Sequence, residues 1–417
     1  MLQNQKMKSK NNNNKNIPEG WQQVKLGEIC DISAGGTPST KIKEYWNGNI
    51  PWMNSGDLNK RIIFDVEGRI TELGLKSSSA KLVPINSVLI GLAGQGKTRG
   101  TVAINKIELT TNQSVAFFIP KKINYKFLYF DLFNRYEELR QLSAGDGGRG
   151  GLNLYLLKNI KLPLPPLPEQ NRIVEVLETW DKYLEDLDKK IKIKKKIKKG
   201  LMQRLLNGDK RLKGFSGEWN KITLEEVISN FSTGLNPRDN FKLGHGNNYY
   251  VTIKNISNGK LNFSKAETVD DTALKLINKR SKLSKDSIIM SSIGNVGECY
   301  LLSENPKKWD INESVFCLKP NIKIIYPKFI YYIIINDKTK KYFENNITGS
   351  SFKSIKMKDL RKMPFKIPEL KEQQAIAEVL TKADEEIEKL EEKRKAVADQ
   401  KKYLLNNLIT GKIRIPA

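Results

Sequence analysis

Two stretches of the chain carry apolar residues at alternating steps of four and three. The first runs Ile173, Leu177, Trp180, Leu184, Leu187, Ile191, Lys194, Lys198, Leu201 and Leu205. The second runs Ile376, Leu380, Ala383, Ile387, Leu390, Arg394, Val397, Lys401, Leu404 and Leu408. Each is a heptad seam with two polar interruptions. The spacing predicts two long helices of about 38 residues, or roughly 57 Å at about 1.5 Å per residue. A Pro-rich turn precedes each, "KLPLPPLPEQ" and "KMPFKIPELKEQQ", and proline bars an earlier helix start. Gly208 and Gly411 follow as C-cap candidates.

The rest of the chain reads differently. Short apolar runs such as "NSVLIG", "TVAI", "DSIIMSS" and "SVFCL" are punctuated by Gly, Asn, Ser and Pro, which fits strands. One amphipathic helix is expected near 126–142 and another near 328–345.

These elements occur twice in the same order. "WQQVKLGEIC" resembles "WNKITLEEVI", with Trp21 and Trp219 198 apart. "TNQSVAFFIP" resembles "INESVFCLKP" at an offset of 200, and "KFLYF" resembles "KFIYY" at 202. "EQNRIVEVL" and "EQQAIAEVL" are 203 apart, as are "LLNGDKRL" and "LITGKIRI". A slowly drifting offset means one architecture built twice with small insertions.

Charge suggests how the long helices pair. In the first, Glu175, Glu178, Asp181, Glu185, Asp186 and Asp188 come early, and Lys189 to Lys199 supply a late basic run. The second repeats that polarity, with Asp384 to Glu392 before Lys393, Arg394, Lys395, Lys401 and Lys402. Parallel pairing would set acid on acid, whereas antiparallel pairing sets lysines on acids. The lysine run therefore reads as a helix-pairing or solvated face sooner than as a DNA site. The expected fold class is α+β: two pseudo-symmetric mixed α/β domains separated by a long antiparallel two-helix coiled coil. The expected divisions are a disordered basic tail at 1–16, a first mixed domain at 17–157, a first long-helix region at 158–212, a second mixed domain at 213–360 and a second long-helix region at 361–417.

Composition narrows the function. The 417 residues suit two or three domains. With 72 Lys and Arg against 46 Asp and Glu, the net charge is +26, which favours a polyanionic partner. A genomic bias toward Lys, Asn and Ile is the competing explanation. No apolar run reaches the roughly 20 residues of a membrane span, and the start "MLQNQKMKSKNNNNKN" lacks the apolar centre of a signal peptide; a cytoplasmic protein is expected. Cys30, Cys299 and Cys317 lie far apart and read as core residues, with neither a disulfide framework nor a metal site.

Chemistry is scarce. His245 is the one histidine and sits in a Gly/Asn loop. No Ser–His–Asp or Cys–His set, HExxH string, EF-hand loop or Asn-Pro-Pro-aromatic string is present. "GLAGQGKTRG" formally matches a phosphate-binding loop over Gly91–Thr98, which raises a P-loop ATPase as an alternative. Such a loop opens a helix at its Lys-Thr. Here "TRGTVAINKIEL" follows, which is turn and strand chemistry, and the sister loop "SSIGNVGECY" lacks the Lys-Thr. A coiled-coil scaffold that binds no DNA is the other alternative.

The same loop supplies donors for DNA: Gln95, Lys97, Thr98 and Arg99, with Asn295 in its sister. Lys and Arg hold phosphates or read guanine, and Gln reads adenine. Other polar loops add Thr37, Ser39 and Lys41; Asn54 and Ser55; Arg149; Asn236 and Arg238; and Ser351 and Lys353. Any one of these also fits an ordinary polar surface loop.

The ordered set resembles the specificity subunit of Type I restriction–modification systems. The resemblance rests on "GWQQVKLGEICDISAGGTPSTKIKEYWNGNIPWMNSGDL", on "TTNQSVAF" with its sister "INESVFCL", and on "LPLPPLPEQNRIVEVLE" with its sister "PFKIPELKEQQAIAEVL". It covers nearly all of the chain after the tail, with "STGLNP" the weaker counterpart of "GGTP". It implies two target-recognition domains, each binding half of a split double-stranded DNA sequence. It also implies a helical spacer that docks two modification (methyltransferase) subunits, with restriction subunits joining them. The subunit itself would be non-catalytic and without a cofactor, and S-adenosylmethionine, ATP and magnesium would sit on its partners.

Overall fold

A computed structural model describes residues 17–94, 98–142, 151–349 and 353–415. Two compact units divide the chain: one from the described residues of Met1–Leu187 and Lys393–Ala417, the other from Asp188–Glu392.

The first unit holds a five-stranded sheet in the order Cys30–Ala34, Val115–Pro120, Val88–Gly91, Val102–Asn105 and Ile62–Ile63. All its pairings are antiparallel except the last, where Ile62 faces Ile104 in parallel. A three-stranded sheet runs Arg69–Ile70, Trp46–Met53, Thr110–Thr111. The second unit repeats this plan. Its sheets run Ile228–Thr233, Val315–Pro320, Ile288–Ser291, Cys299–Leu301 and Glu267–Val269, Asn248–Val251, Trp309–Ile311. The fifth edge strand of the first unit has no counterpart among the described residues of the second. Val88–Gly91 and Ile288–Ser291 are buried along their whole length, as expected of runs covered on both faces.

The expected single helices at 126–142 and 328–345 are each broken in two. The first becomes Tyr125–Asn134 and Tyr136–Gln141; the second becomes Pro327–Ile335 and Asp337–Asn346. Asn336 explains the second break. It is extended, at φ −69° and ψ 148°, and its side chain accepts from Lys338 N as the cap of a new helix.

The long helices span Leu167–Leu206 and Leu370–Ile409, 40 residues each. Every seam position named above is buried or half-buried. Within each unit the start of one helix packs antiparallel on the end of the other. In the first, Ile173 and Leu177 share a core with Leu405, Leu408, Phe127 and Leu128. In the second, Ile376 and Leu380 share one with Leu205, Phe329 and Ile330. Each such side chain contributes about 1.5–3 kcal/mol by burial. The lysine run acts at this seam: Lys194 pairs with Glu386 and Lys195 with Glu391, both at 2.6 Å, and Lys198 pairs with Asp384. In the first unit Lys401 pairs with Asp181.

The repeated Glu-Gln after each Pro-rich turn has a definite use. Glu372 is 1% exposed and takes a two-point bond from Arg211, Nε and Nη2 each at 2.7 Å. Arg211 lies just beyond the end of the first long helix. Glu169 takes the same bond from Arg414, at 2.6 and 2.9 Å, just beyond the end of the second. The adjacent glutamines pin the short helices: Gln170 accepts from Asn124 N and Gln373 from Tyr326 N, both at 2.8 Å.

Candidate nucleic-acid interface

The loops at one end of each sheet pair are tied together by backbone bonds. In the first unit Asn112 N donates to Met53 O at 3.0 Å, and the Asn112 side chain accepts from Ser114 N at 3.2 Å. Val115 N returns to Asn112 O at 3.1 Å, and Leu92 N donates to Ser114 O at 2.8 Å. Gly35 N reaches Val115 O and Gly36 N reaches Thr111 O. The turn "TNQSV" thus gathers the loops after residues 34, 53 and 91.

The second unit repeats four of these bonds, Val315 N to Asn312 O at 3.2 Å among them, while its glycine bond differs. Asn312 N donates to Val251 O at 2.9 Å, its side chain accepts from Ser314 N at 3.2 Å, and Ser292 N donates to Ser314 O at 3.0 Å. Gly234 N reaches Asn312 O at 3.1 Å. Close approach explains the glycines: a methyl group on Gly35 would collide with Thr111, and one on Gly234 with the Ile311 carbonyl.

This frame brings several of the expected contact residues to one loop cluster per unit. In the first, Thr37 is half-buried and its hydroxyl donates to Gln113 Oε1. Ser39 and Lys41 are exposed on the same loop, which is tied down by Trp46 Nε1 to Ser39 O and Trp52 Nε1 to Gly36 O, both at 3.1 Å. Asn54 is exposed, but its side-chain oxygen accepts from Gly56 N at 2.7 Å as a cap, with Ser55 half-buried beside it. Thr98 and Arg99 are half-buried where the hairpin loop returns to the sheet. In the second unit Asn295 and Lys353 are exposed on adjoining loops, joined by Gly294 N to Lys353 O at 2.9 Å. Arg238 is exposed, and Asn236 is half-buried with its oxygens accepting from Asn240. Gln95, Lys97, Arg149 and Ser351 lie outside the described residues.

Two positions absent from that expected set stand at the tips of the turns. Gln113 and Glu313 are exposed, each between the Asn and the Ser of the repeated turn. The signal that would have found them is the one unlike residue inside an otherwise repeated Asn-x-Ser-Val.

The phosphate-loop alternative fails on geometry. The loop after Gly91 joins two antiparallel strands, with Ile90 opposite Val102, and Thr98 N-terminal to a strand rather than opening a helix. In the sister hairpin Met290 faces Cys299. The strand offset there is 197, not 200, so the first loop is three residues longer and a constant-offset alignment of the two loops does not hold.

One buried group in the second unit is electrostatically unusual. Asp310 is fully buried, and burial pushes its carboxyl up to about 7 despite hydrogen bonds from Ser281 Oγ at 2.8 Å and Ile311 N at 2.7 Å. Burial likewise raises the Cys30 thiol to about 12. Among the described residues no cluster of three or more His, Cys, Asp or Glu could hold a metal ion, and no helix is long and apolar enough to cross a membrane.

Each unit joins a pair of sheets, a polar loop cluster and an antiparallel packing of one long helix's start on the other's end, so the chain is one architecture built twice. The chain belongs to the Type I restriction modification DNA specificity domain family, whose model matches residues 18–199 and again 216–399. It is similar to the Type I restriction enzyme MjaVIII specificity subunit of Methanocaldococcus jannaschii, at 25% identity over 96% of this chain and 94% of that one. It is also similar to the MjaIX specificity subunit of the same organism, at 36% identity over 43% of this chain and 42% of that one. The crystal structure of a Type I restriction–modification S subunit from M. genitalium shares its fold, with a TM-score of 0.56 at 18% identity, covering 95% of this chain and 97% of the other.

Proposed function

We propose that this chain is the non-catalytic specificity subunit of a Type I restriction–modification enzyme. It grips a bipartite double-stranded DNA target, one half-site per recognition domain, and its long paired helices set the number of unread base pairs between them. The helices also dock two modification subunits, which restriction subunits join; S-adenosylmethionine, ATP and magnesium are bound by those partners.

The observation that carries this reading is the frame built twice with unlike loops. The Asn-x-Ser-Val turn makes the same bonds in both units, while the loops it gathers differ in sequence and length. A net charge of +26 supplies the phosphate attraction that positions such a surface on DNA.

The test is to co-express the chain with the methyltransferase subunit of its own system and map the methylated adenines. The expected outcome is one two-part sequence with unlike halves and a fixed gap. A complex with no steep loss of DNA affinity as salt rises would favour a scaffold instead. Calorimetric binding of ATP by the isolated chain, abolished by Lys97→Ala, would favour an ATPase.

A further inference from the structure

The turns that gather the loops do more than hold them, because each presents one side chain at its tip. We propose that Gln113 and Glu313 are the paired base-reading residues of the two domains. Gln113 reads adenine through N6 and N7, and Glu313 accepts from the exocyclic amino group of cytosine. This assignment rests on the DNA-binding function proposed above.

Both residues are exposed, yet the backbone on either side is fixed by four hydrogen bonds that recur in both units. The strands that follow, from Val115 and from Val315, start at fully buried residues. A base-reading side chain needs this arrangement: a reach into the partner from a backbone that does not yield.

The immediate neighbours orient the two groups. The Thr37 hydroxyl donates to Gln113 Oε1, which fixes the amide while its oxygen keeps a second lone pair. The Tyr250 hydroxyl, held by Leu235 O at 2.6 Å, lies 3.4 Å from Glu313 Oε2. Thr37 lies on the loop that follows Ala34 and touches its tip residue directly; in the second domain the neighbour is Tyr250 of the strand Asn248–Val251, itself anchored by Leu235 on the loop that follows Thr233.

Charge separates reading from phosphate gripping. A carboxylate on the DNA-facing loops of a chain with net charge +26 is repelled by phosphates. It is tolerable where a base amino group meets it, since Glu accepts from cytosine N4 and Gln pairs with adenine in the major groove. The turn is otherwise Asn-x-Ser-Val in both copies, so the chemistry changes at the one exposed position while the frame stays.

The experiment uses the full chain in complex with its modification subunits. Gln113→Ala, Glu313→Ala and the exchanges Gln113→Glu and Glu313→Gln are compared with the unsubstituted complex. The readouts are methylated-site maps and competition by duplexes changed at single positions. Gln113→Ala should cut discrimination at one base pair of one half-site by about tenfold or more, the scale of one good bidentate contact. The other half-site should be untouched. Glu313→Gln should move one position of the other half-site from cytosine toward adenine. Unchanged preferences in both alanine variants and both exchanges would overturn the assignment. So would equal weakening for every sequence, which marks a phosphate contact. If the unsubstituted complex marks no two-part site, the proposed function itself falls, and this assignment falls with it.

Discussion

Lys198 pairs with Asp384 where the seam of the first long helix turns from apolar to polar. Its ammonium also lies 5.6 Å from the centre of the Tyr332 ring, and the Tyr332 hydroxyl donates to Asp384 at 2.8 Å. The first unit repeats the arrangement with Lys401, Asp181 and Phe130, the ammonium 5.7 Å from the ring centre. The polar breaks in the two seams are therefore register pins. They match only when the helices run antiparallel.

Reversing one pin tests this. Lys198→Glu sets two acids together and should lower stability by on the order of 1 kcal/mol, the scale of a partly exposed pair. Adding Asp384→Lys should recover most of the loss. Denaturant unfolding of the full chain measures both, and a double variant no better than the single would contradict the pairing.

The Arg211–Glu372 pair should matter more, because Glu372 is almost fully buried and held at two points. Glu372→Gln takes the counter-charge from a guanidinium that water still reaches and should lower stability more than Lys198→Glu does, because the two-point bond is lost with it. Glu169→Gln should act in the same direction through Arg414. A loss below about 1 kcal/mol, the level of a surface pair, would show that these pairs do not tie the helix ends.

The repeat also predicts an asymmetry. Trp21 Nε1 donates to Glu169 Oε2 at 3.0 Å, whereas Trp219 Nε1 is buried without a hydrogen-bond partner. Trp21→Phe should cost about 1 kcal/mol beyond the lost contact area, and Trp219→Phe should not carry that term. Equal losses in thermal unfolding would contradict the difference.

Asp310 gives a pH dependence with a definite sign. Its folded carboxyl holds a proton up to about 7, while the unfolded one releases it near 3.8. Between those values the folded state binds more protons, so stability falls as pH rises, by up to roughly 1.4 kcal/mol per pH unit, and then levels off. Asp310→Asn should flatten this slope in unfolding measured from pH 4 to 8. An unchanged slope would show that Asp310 is not its source.

Much of this structure was legible in the sequence, but unevenly. The seam residues are readable because a helix repeats its burial every three or four residues, and all of them are buried or half-buried. Antiparallel pairing was readable from opposed charge, and Lys194, Lys195 and Lys198 meet the predicted acids. The break at Asn336 was not, since the apolar pattern continues through it and only the capping bond reveals it. The three-residue difference between the hairpin loops was hidden because Gly-rich segments align at many offsets. Gln113 and Glu313 do not stand out in the sequence because their exposure depends on which strands pair, and that is set by contacts far apart in the chain.

On the proposed function the helix pair sets the gap and the unlike loops read the half-sites. Inserting seven residues after Ile191 and seven after Leu390, which lie near one another in the antiparallel register, keeps both seams in phase. It should lengthen the helix pair by about 10 Å, or about three base pairs at roughly 3.4 Å each. Mapping methylated adenines for this variant with its modification subunits is the direct measurement. The expected result is the same two half-sites separated by more unread base pairs. An unchanged gap, or altered half-sites, would contradict it.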